Sequence, residues 1–364
     1  MPYQITRKKV KRGLQIFSII SFTSVLVIFF LTRSSETAQA LHRINPLYLM
    51  VALSLIVVDW IGGGYRIYIF GRVLHPGIRF KTCVRANLGN YFMAAVTPAQ
   101  TGGGPVQIYI MYSDGVPVVE ATSASLMTFL STVFFLIIAA ALTFGFKGRA
   151  PLLGHLLTHL FNWGIFLFLF IGFLVVLALV FPGMYRKIFE SLFRLLSHLR
   201  KKDFFKSGTW ASSIVDGVDR CHQQLVFYLR KEWPTFLLGI VLTGALFFTK
   251  FLIAYLVVLG LGVQASMLDI LLLQVVITLI NYFFPSPGGS GAAEFSAAAL
   301  MAAVVPTQII TFYVILWRLF TTYLSVAAGG IVILHEFGRK ERLELESGFN
   351  GTGEKFEEDR VASI

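Results

Sequence analysis

Long apolar segments constrain this chain more than any other feature of its sequence. About 20 consecutive apolar residues are enough to cross a bilayer as a helix. Segments of about that length or longer occupy six parts of the chain, residues 13–31, 46–65, 117–146, 161–182, 234–259 and 307–335. Hydrophobic residues make up 56% of the chain and charged residues 14%, against roughly 45–50% and 25% in soluble domains. The sequence therefore predicts an all-α polytopic membrane protein with about six spanning helices, and it excludes a soluble enzyme and a disordered chain.

The first of these segments also has one feature of a cleaved signal peptide. Ala38-Gln39-Ala40, a few residues after it, resembles a small-residue cleavage site. However, the apolar run over residues 13–31 is longer than the roughly 7–15 residues of a signal-peptide core. We therefore interpret this segment as an uncleaved first helix.

Two further apolar stretches, residues 84–112 and 268–305, are each broken in the middle by proline and glycine. Proline lacks a backbone donor and glycine has a low helix propensity, so neither stretch can continue as one helix. Irregular backbone persists at membrane depth only where protein or a water-filled cavity surrounds it. Both stretches are therefore predicted to be re-entrant helical hairpins that turn inside the membrane.

The two broken stretches resemble each other. Each begins its break with Asn-Tyr-Phe, at Asn90 in the first and at Asn281 in the second, and each then has a turn rich in proline and glycine. With the N-terminus inside, the first hairpin enters from the cytoplasm and the second from outside. This is the pattern of an inverted repeat, which in secondary transporters places the substrate site between two discontinuous elements. Coincidence is the alternative, because glycine and proline are frequent in membrane helices.

Basic residues divide unevenly between the two sides of this topology. The segments placed on the cytoplasmic side hold 25 of the 31 lysines and arginines, and they are residues 1–12, 66–85, 183–232 and the tail from residue 336. This bias is the positive-inside rule. It explains the net charge of +12 without nucleic acid as a partner.

The cytoplasmic segments also suggest how the chain is organised. Residues 183–232 combine ten basic residues with scattered aromatic and aliphatic ones, as expected of amphipathic helices on an anionic inner leaflet. We predict a membrane domain over residues 1–335 with this insertion between its two repeats. Residues 336–364 are predicted to form a polar, poorly ordered tail.

Four ionisable residues within the predicted spans and hairpins stand out as candidates: Asp59, Lys250, Glu294 and Arg318. Charged groups at membrane depth are costly and are usually functional. Glu294 begins the returning half of the second hairpin, where a carboxylate can cap the helix or pair with Arg318. For Arg318 a structural salt bridge and a substrate contact both remain open. A structural role is favoured for Asp59, which precedes a tryptophan and three glycines.

The turns of the two hairpins are the other candidate binding elements. Helix N-termini with free N–H groups bind anions, so two such turns with Lys250 and Arg318 nearby would suit a phosphate headgroup. Glycine could equally serve only to permit the reversal. The candidate substrate-binding residues of the hairpins are Asn90, Pro98, Gln100, Gly102 and Gly103 in the first and Asn281, Pro287, Gly288, Gly289 and Gly291 in the second.

No catalytic or metal-binding motif accompanies these residues. His155 and His159 are four residues apart and could share a helix face, but no further ligand accompanies them. No nucleotide-binding loop or nucleophile–base pattern is present, so no cofactor is expected.

The second hairpin carries a recognisable sequence. Residues 285–294 read Pro-Ser-Pro-Gly-Gly-Ser-Gly-Ala-Ala-Glu, and residues 317–319 read Trp-Arg-Leu. Both resemble elements of the lysylphosphatidylglycerol synthase transmembrane region, a flippase-like family, and residues 97–105 resemble its first-hairpin motif. The resemblance covers residues 10–335 and implies lipid translocation between leaflets. The lysine-transferring domain that accompanies this region in some members has no counterpart in the 29 residues after His335. Gly104-Pro105 and Gln107 stand where many members have an acidic residue and an arginine.

These observations favour a lipid transporter rather than an enzyme. The expected cargo is the headgroup of a phospholipid or polyprenyl-phosphate lipid, and the expected location is the bacterial inner membrane with both termini in the cytoplasm. An intramembrane lipid-modifying enzyme or an accessory subunit of an aminoacyl- or glycosyl-lipid pathway is the alternative. Glu294 and Asp59 are its only candidate catalytic pair. A non-transporting scaffold is a third possibility.

Overall fold

The computed structural model describes residues 7–32, 44–145 and 208–336, together with residues 166, 169, 170, 172, 173, 338 and 339. Within these ranges the chain is almost entirely helical. The first five helices are α1 (Arg7–Thr32), α2 (Pro46–Leu74), α3 (Phe80–Val96), α4 (Gly103–Ser113) and α5 (Val118–Gly145). The next four are α6 (Gly208–Arg230), α7 (Trp233–Gly260), α8 (Met267–Phe283) and α9 (Ala292–Met301). The last, α10, covers Thr307–Glu336.

Among the described residues, five helices are long and apolar enough to cross a membrane, namely α1, α2, α5, α7 and α10. They confirm the all-α polytopic fold, and they match five of the six predicted spans. The predicted span over 161–182 lies outside the described residues except at residues 166, 169, 170, 172 and 173, which are helical. The histidines at 155 and 159 also lie outside them. The second span is longer than expected, because α2 continues through Leu74 and takes Arg66 and Arg72 out of the predicted loop.

The helices on either side of α6 form two matched series. The series α2–α3–α4 has helices of 29, 17 and 11 residues, and α7–α8–α9 has helices of 28, 17 and 10. The helices α2 and α7 pack antiparallel. The start of α2 contacts the end of α7 at Gly260, and the end of α2 at Phe70 contacts Gly239 near the start of α7. The two hairpins that follow these helices therefore enter from opposite faces, as an inverted repeat requires.

We call α3, α4 and their connection hairpin 1, and α8, α9 and theirs hairpin 2. Neither hairpin has a helix longer than 17 residues, which is too short to span a bilayer of about 30 Å comfortably. Their connecting turns meet each other, and Pro98 and Pro287 form an isolated antiparallel bridge there. The half-crossings thus join end to end between the spanning helices.

The helix α10 is not a regular α-helix along its length. It opens with a 3₁₀ turn at Thr307–Ile309, continues as α-helix over Ile310–Arg318, and then has a π-helical turn at Leu319–Tyr323. Residues 324–336 return to α-helical geometry. Single π turns inside helices are frequent at functional sites, and this one begins immediately after Arg318.

Hydrogen bonds and ion pairs connect the end of hairpin 1 that lies away from its turn to the end of α10. Asp114, just after α4, accepts hydrogen bonds from Thr82 Oγ1 at 2.7 Å, Arg85 Nη1 at 2.9 Å and Arg339 Nη1 at 2.6 Å. Arg85 also pairs with Glu336, which is 4% exposed. Residues 336 and 339, which fall in the predicted tail, are therefore part of the packed structure, whereas residues 340–364 lie outside the described residues.

The charge cluster at Asp114 predicts a dependence of stability on pH. Burial raises the pKa of Asp114, but the hydrogen bonds from Arg339 and Thr82 and the charge of Arg85 outweigh it, so this pKa lies below its usual value. A carboxyl group with a lowered folded-state pKa stabilises the fold above its unfolded pKa of about 3.9 and loses that contribution as the pH falls below it. We expect Asp114→Asn to remove part of the decline in unfolding temperature between about pH 5 and pH 3. Thermal unfolding in detergent measures this, with Asp216→Asn on the exposed face of α6 as the control. Equal slopes for wild type and Asp114→Asn would contradict it.

Candidate functional site

The turns of the two hairpins have the same backbone conformation. In hairpin 1, Gln100 N–H donates to the Thr97 carbonyl and Thr101 N–H to the Pro98 carbonyl, both at 3.2 Å. In hairpin 2 the equivalent bonds lead from residues 289 and 290 back to residues 286 and 287, at 3.2 and 3.0 Å. The two residues after each proline have positive φ, at Ala99 (49°) and Gln100 (57°) in hairpin 1 and at residues 288 (57°) and 289 (68°) in hairpin 2. The repeat therefore extends to the geometry of the tips.

The glycines of hairpin 1 do not make its reversal, although the sequence suggested that they permit it. The left-handed positions are Ala99 and Gln100, whereas Gly102 has a φ of −80° and donates its N–H to Thr97 Oγ1 at 2.8 Å. A Cβ on Gly103 would lie 2.7 Å from Asn90 Oδ1. These glycines are thus required for close packing of α4 on α3. Only in hairpin 2 do glycines supply the left-handed backbone.

Contacts between the tips involve several of the predicted site residues. Besides the bridge of Pro98 with Pro287, Gln100 Nε2 donates to the Asn281 carbonyl at 3.5 Å. The side-chain oxygen of Asn281 is buried and accepts no hydrogen bond within the described residues. Asn90 lies further from the tip, where its amide donates to Gln107 Oε1 at 2.9 Å. The structure thus brings Pro98, Gln100, Asn281 and Pro287 together, and it leaves Asn90 to one side.

Glu294 and Arg318 form a buried ion pair. Arg318 Nε donates to Glu294 Oε1 at 2.9 Å, and the two residues are 3% and 0% exposed, respectively. The other carboxylate oxygen, Oε2, accepts the backbone N–H of Gly291 at 2.7 Å. Capping and pairing, the two roles left open for Glu294, are therefore both present. The N-terminus of α9 is already occupied by this carboxylate, so an anion bound there would meet a negative charge.

The guanidinium of Arg318 is not fully used by these contacts. Its Nη1 donates to Thr322 Oγ1 at 3.2 Å, while Nη2 is buried and makes no hydrogen bond within the described residues. Its central carbon lies 6.0 Å from the Trp317 ring and 5.9 Å from the Tyr323 ring. A buried donor without a partner costs roughly 1–3 kcal/mol, more when charged. Arg318 thus retains a donor that an oxygen of a ligand could satisfy.

Lys250 belongs to a second charged cluster, not to that of Arg318. Its Nζ lies 3.7 Å from Asp59 Oδ1 and 3.4 Å from the hydroxyl of Tyr91, which in turn donates to Asp59 Oδ2 at 2.8 Å. The ammonium also lies over the Tyr91 ring at 4.9 Å. Asp59 is therefore the partner that stabilises Lys250 at membrane depth. The expectation that Lys250 and Arg318 form one binding group is not reflected in their contacts.

Arg66 is a further cation at this cluster, and the sequence reasoning assigned it to a loop. Its Nη1 donates to Thr132 Oγ1 at 3.0 Å and Thr243 Oγ1 at 2.9 Å, while Nε has no hydrogen-bond partner within the described residues. Asp59 lies within electrostatic range of both Arg66 and Lys250. One carboxylate thus serves two cations, which leaves the cluster with a net positive charge.

The two Asn-Tyr-Phe sequences converge on the same cluster. Tyr91 from α3 and Tyr282 from α8 both lie within electrostatic range of Lys250 and Arg66. The sequence held a signal that could have placed Arg66 within a helix, because the apolar pattern of α2 continues past Arg66 to Leu74. Its hydroxyl partners, Thr132 and Thr243, are two of several hydroxyl residues in their spans, so the sequence alone did not single them out.

The two carboxylates nominated for catalysis are each engaged elsewhere. Glu294 is held by Arg318 and the backbone of Gly291, and Asp59 by Lys250 and Tyr91. Within the described ranges, no group of three or more histidine, cysteine, aspartate or glutamate side chains could hold a metal ion. The arrangement of these side chains is that of two charged centres beside a pair of joined half-helices: the buried Glu294–Arg318 ion pair, and a partly buried centre in which Arg66 and Lys250 surround Asp59.

Comparison with known proteins agrees with this architecture. A membrane protein of Archaeoglobus fulgidus, described as a UPF0104 membrane protein, is 26% identical to the chain over 328 residues, which covers 86% of this chain and 94% of that protein. Residues 15–329 match the family described as lysylphosphatidylglycerol synthase TM region. The match includes both hairpins, both charged centres and all but the end of α10. The chain therefore belongs to the lysylphosphatidylglycerol synthase TM region family.

Proposed function

We propose that this protein moves the phosphate-bearing headgroup of a phospholipid or polyprenyl-phosphate lipid between the two leaflets of its membrane. The observation that supports this most directly is the buried guanidinium of Arg318, whose Nη2 has no partner among the described residues. A phosphate oxygen is the natural acceptor for such a donor. The acyl chains would remain in the bilayer while the headgroup crosses beside the joined tips.

The charges of the two centres suit an anionic headgroup. Arg318 is balanced by Glu294, whereas Arg66 and Lys250 share Asp59 as their acidic partner. A phosphate passing this second centre would offset its excess positive charge. The same field would disfavour a cationic headgroup.

The proposed location and orientation follow from the charge distribution. We propose a bacterial inner membrane as the location, with both termini in the cytoplasm; the orientation is supported by the positive-inside rule, because 25 of the 31 basic residues then lie on that side or at its edge. Helix α6, the described part of the 183–232 insertion, is strongly amphipathic and suits an anionic leaflet surface. Transport needs no bound cofactor in this proposal.

A reconstitution experiment tests the proposed function. Liposomes containing the purified protein and headgroup-labelled phospholipids or polyprenyl-phosphate lipids are treated with a membrane-impermeant reductant that bleaches only the outer leaflet. We expect bleaching to exceed the roughly half seen in protein-free vesicles for at least one phosphate-bearing lipid. Bleaching no greater than in protein-free vesicles for every lipid would overturn the proposal. Lipids that change mass rather than leaflet would instead identify an enzyme.

Arg66 provides a specific prediction within this assay. Arg66→Gln keeps a side-chain donor for Thr132 and Thr243 but removes the charge, so translocation of anionic headgroups is expected to fall about tenfold, which corresponds to about 1.4 kcal/mol of lost stabilisation. The matched control is Arg72→Gln on the same helix, because Arg72 is exposed and lies over the Tyr68 ring at 5.8 Å. Equal rates for the two variants would rule out a role of Arg66 in transport.

A further inference from the structure

A large groove runs along the outside of the protein between α1 and α10. Its volume is about 1200 Å³, more than the roughly 300–1,000 Å³ of ordinary small-molecule pockets. The walls are apolar, and Phe22, Ile331 and Leu334 on its rim are 65%, 71% and 68% exposed. The groove is therefore accessible from the lipid phase.

Three polar residues of α1 interrupt the apolar wall. Lys11 lies at one end of the groove, and Ser18 and Ser21 follow on α1. Ten residues of α-helix separate Lys11 from Ser21, which is about 15 Å and half of the roughly 30 Å hydrocarbon core. With Lys11 at the membrane surface, Ser21 lies near the midplane.

The inner end of the groove reaches the site already described. Ser21 Oγ donates to Ser290 Oγ in the tip of hairpin 2 at 3.1 Å. Tyr323, another groove residue, interacts with both Ser21 and Arg318. A headgroup at this end of the groove would be one side chain away from the Arg318 guanidinium.

We propose that this groove is the lateral port for a phospholipid, with the phosphate held first at Lys11 and the acyl chain lying against α1 and α10. The proposal rests on the proposed function and adds to it the route by which the lipid reaches Arg318. A phospholipid fits the groove better than a covering helix does, because the groove is charged at one end and carries an exposed serine, Ser18, along its length. Residues 161–182 and a second copy of the chain are the competing occupants.

Photo-crosslinking in nanodiscs identifies the occupant. A benzoylphenylalanine probe replaces Ala327, an exposed groove residue, and in a second protein it replaces Val241, a 60% exposed residue of α7 that does not line the groove. The nanodiscs contain phosphatidylglycerol and phosphatidylcholine. We expect intact phospholipid adducts at position 327, enriched about fivefold in phosphatidylglycerol, the contribution of one basic residue at a membrane surface. Adducts at position 241 should follow the bulk composition.

Substitutions at two neighbouring basic residues distinguish a specific phosphate site from a general effect of the positive surface potential. Lys11→Gln is expected to abolish the enrichment at position 327, whereas Arg12→Gln, which removes an equal charge outside the groove, should leave most of it. A peptide adduct from residues 161–182 or from a second copy would overturn the proposal, and so would an equal loss in both variants.

The liposome assay separates this proposal from the function on which it rests. Lysine-dependent enrichment at position 327 without translocation would support the groove as a phospholipid site and overturn transport. Translocation at the wild-type rate in Lys11→Gln, with no enrichment at position 327, would overturn the port and support transport by another route.

Discussion

Replacing Arg318 by glutamine is expected to abolish headgroup translocation and to lower the free energy of unfolding by roughly 3–5 kcal/mol. The loss of stability follows from Glu294, which is fully buried and would be left as an unpaired carboxylate. Glu294→Gln should cost a similar amount, because it leaves the guanidinium unpaired. Thermal or denaturant unfolding in detergent measures the first effect, and the liposome assay measures the second.

The double variant Glu294→Gln/Arg318→Gln separates stability from transport. Two neutral amides can hydrogen-bond to each other, and glutamine can still accept the Gly291 N–H that Glu294 accepts now. Most of the lost stability is therefore expected to return, as it does when both partners of a buried pair are neutralised together. Translocation should remain absent, because no cation faces the headgroup. If the double variant regains both stability and translocation, the ion pair has a structural role only.

A single methyl group at the tip of hairpin 2 is expected to slow translocation at least tenfold. Gly288 has a φ of 57°, and a Cβ there would lie 3.0 Å from the Phe17 ring and 3.1 Å from both the Cα and the carbonyl oxygen of Ala95. Gly288→Ala therefore combines a left-handed alanine, which costs roughly 1–2 kcal/mol, with pressure on hairpin 1. We expect the tips to separate or misalign, and unfolding temperature and liposome transport to fall together.

Ala99 provides the matched control for this substitution. It holds the same position in hairpin 1 and already has a side chain at a φ of 49°. Ala99→Gly relieves that strain, so stability should stay within about 1 kcal/mol of wild type or rise. Equal loss of transport in Ala99→Gly and Gly288→Ala would show that flexibility at the tips, rather than their packing, limits transport.

The hairpins could be predicted because their causes are local. Proline and glycine interrupt an apolar run, and the stretches left on either side are too short to span the bilayer comfortably, so the pattern alone indicates a turn at membrane depth. The backbone conformation within the turn was harder to predict from the sequence. Ala99 and Gln100 adopt positive φ although neither is glycine, because the bridge of Pro98 with Pro287 and the hydrogen bond from Gln100 to the Asn281 carbonyl hold the turn in place.

Partners of the buried charges depend on how helices pack, which periodicity does not contain. Lys250 and Arg318 looked alike in sequence, as single cations within apolar spans. The antiparallel packing of α2 with α7 places Lys250 beside Asp59, while the packing of α9 against α10 places Glu294 beside Arg318. Arg66 was missed for a different reason, because a basic residue after an apolar segment is the usual mark of a membrane boundary.

The π-helical turn after Arg318 fixes a rotational phase between the two ends of α10. Successive residues of an α-helix are rotated by about 100°, and the π turn at Leu319–Tyr323 holds one residue more than a regular turn would. Relaxation of this turn to α-helical geometry would swing residues 324–336 by about that angle relative to Arg318. Glu336 would then leave the side of the helix on which it meets Arg85. The length of one helical turn thus sets whether the ion pair near the midplane and the ion pair at the membrane edge can exist at the same time.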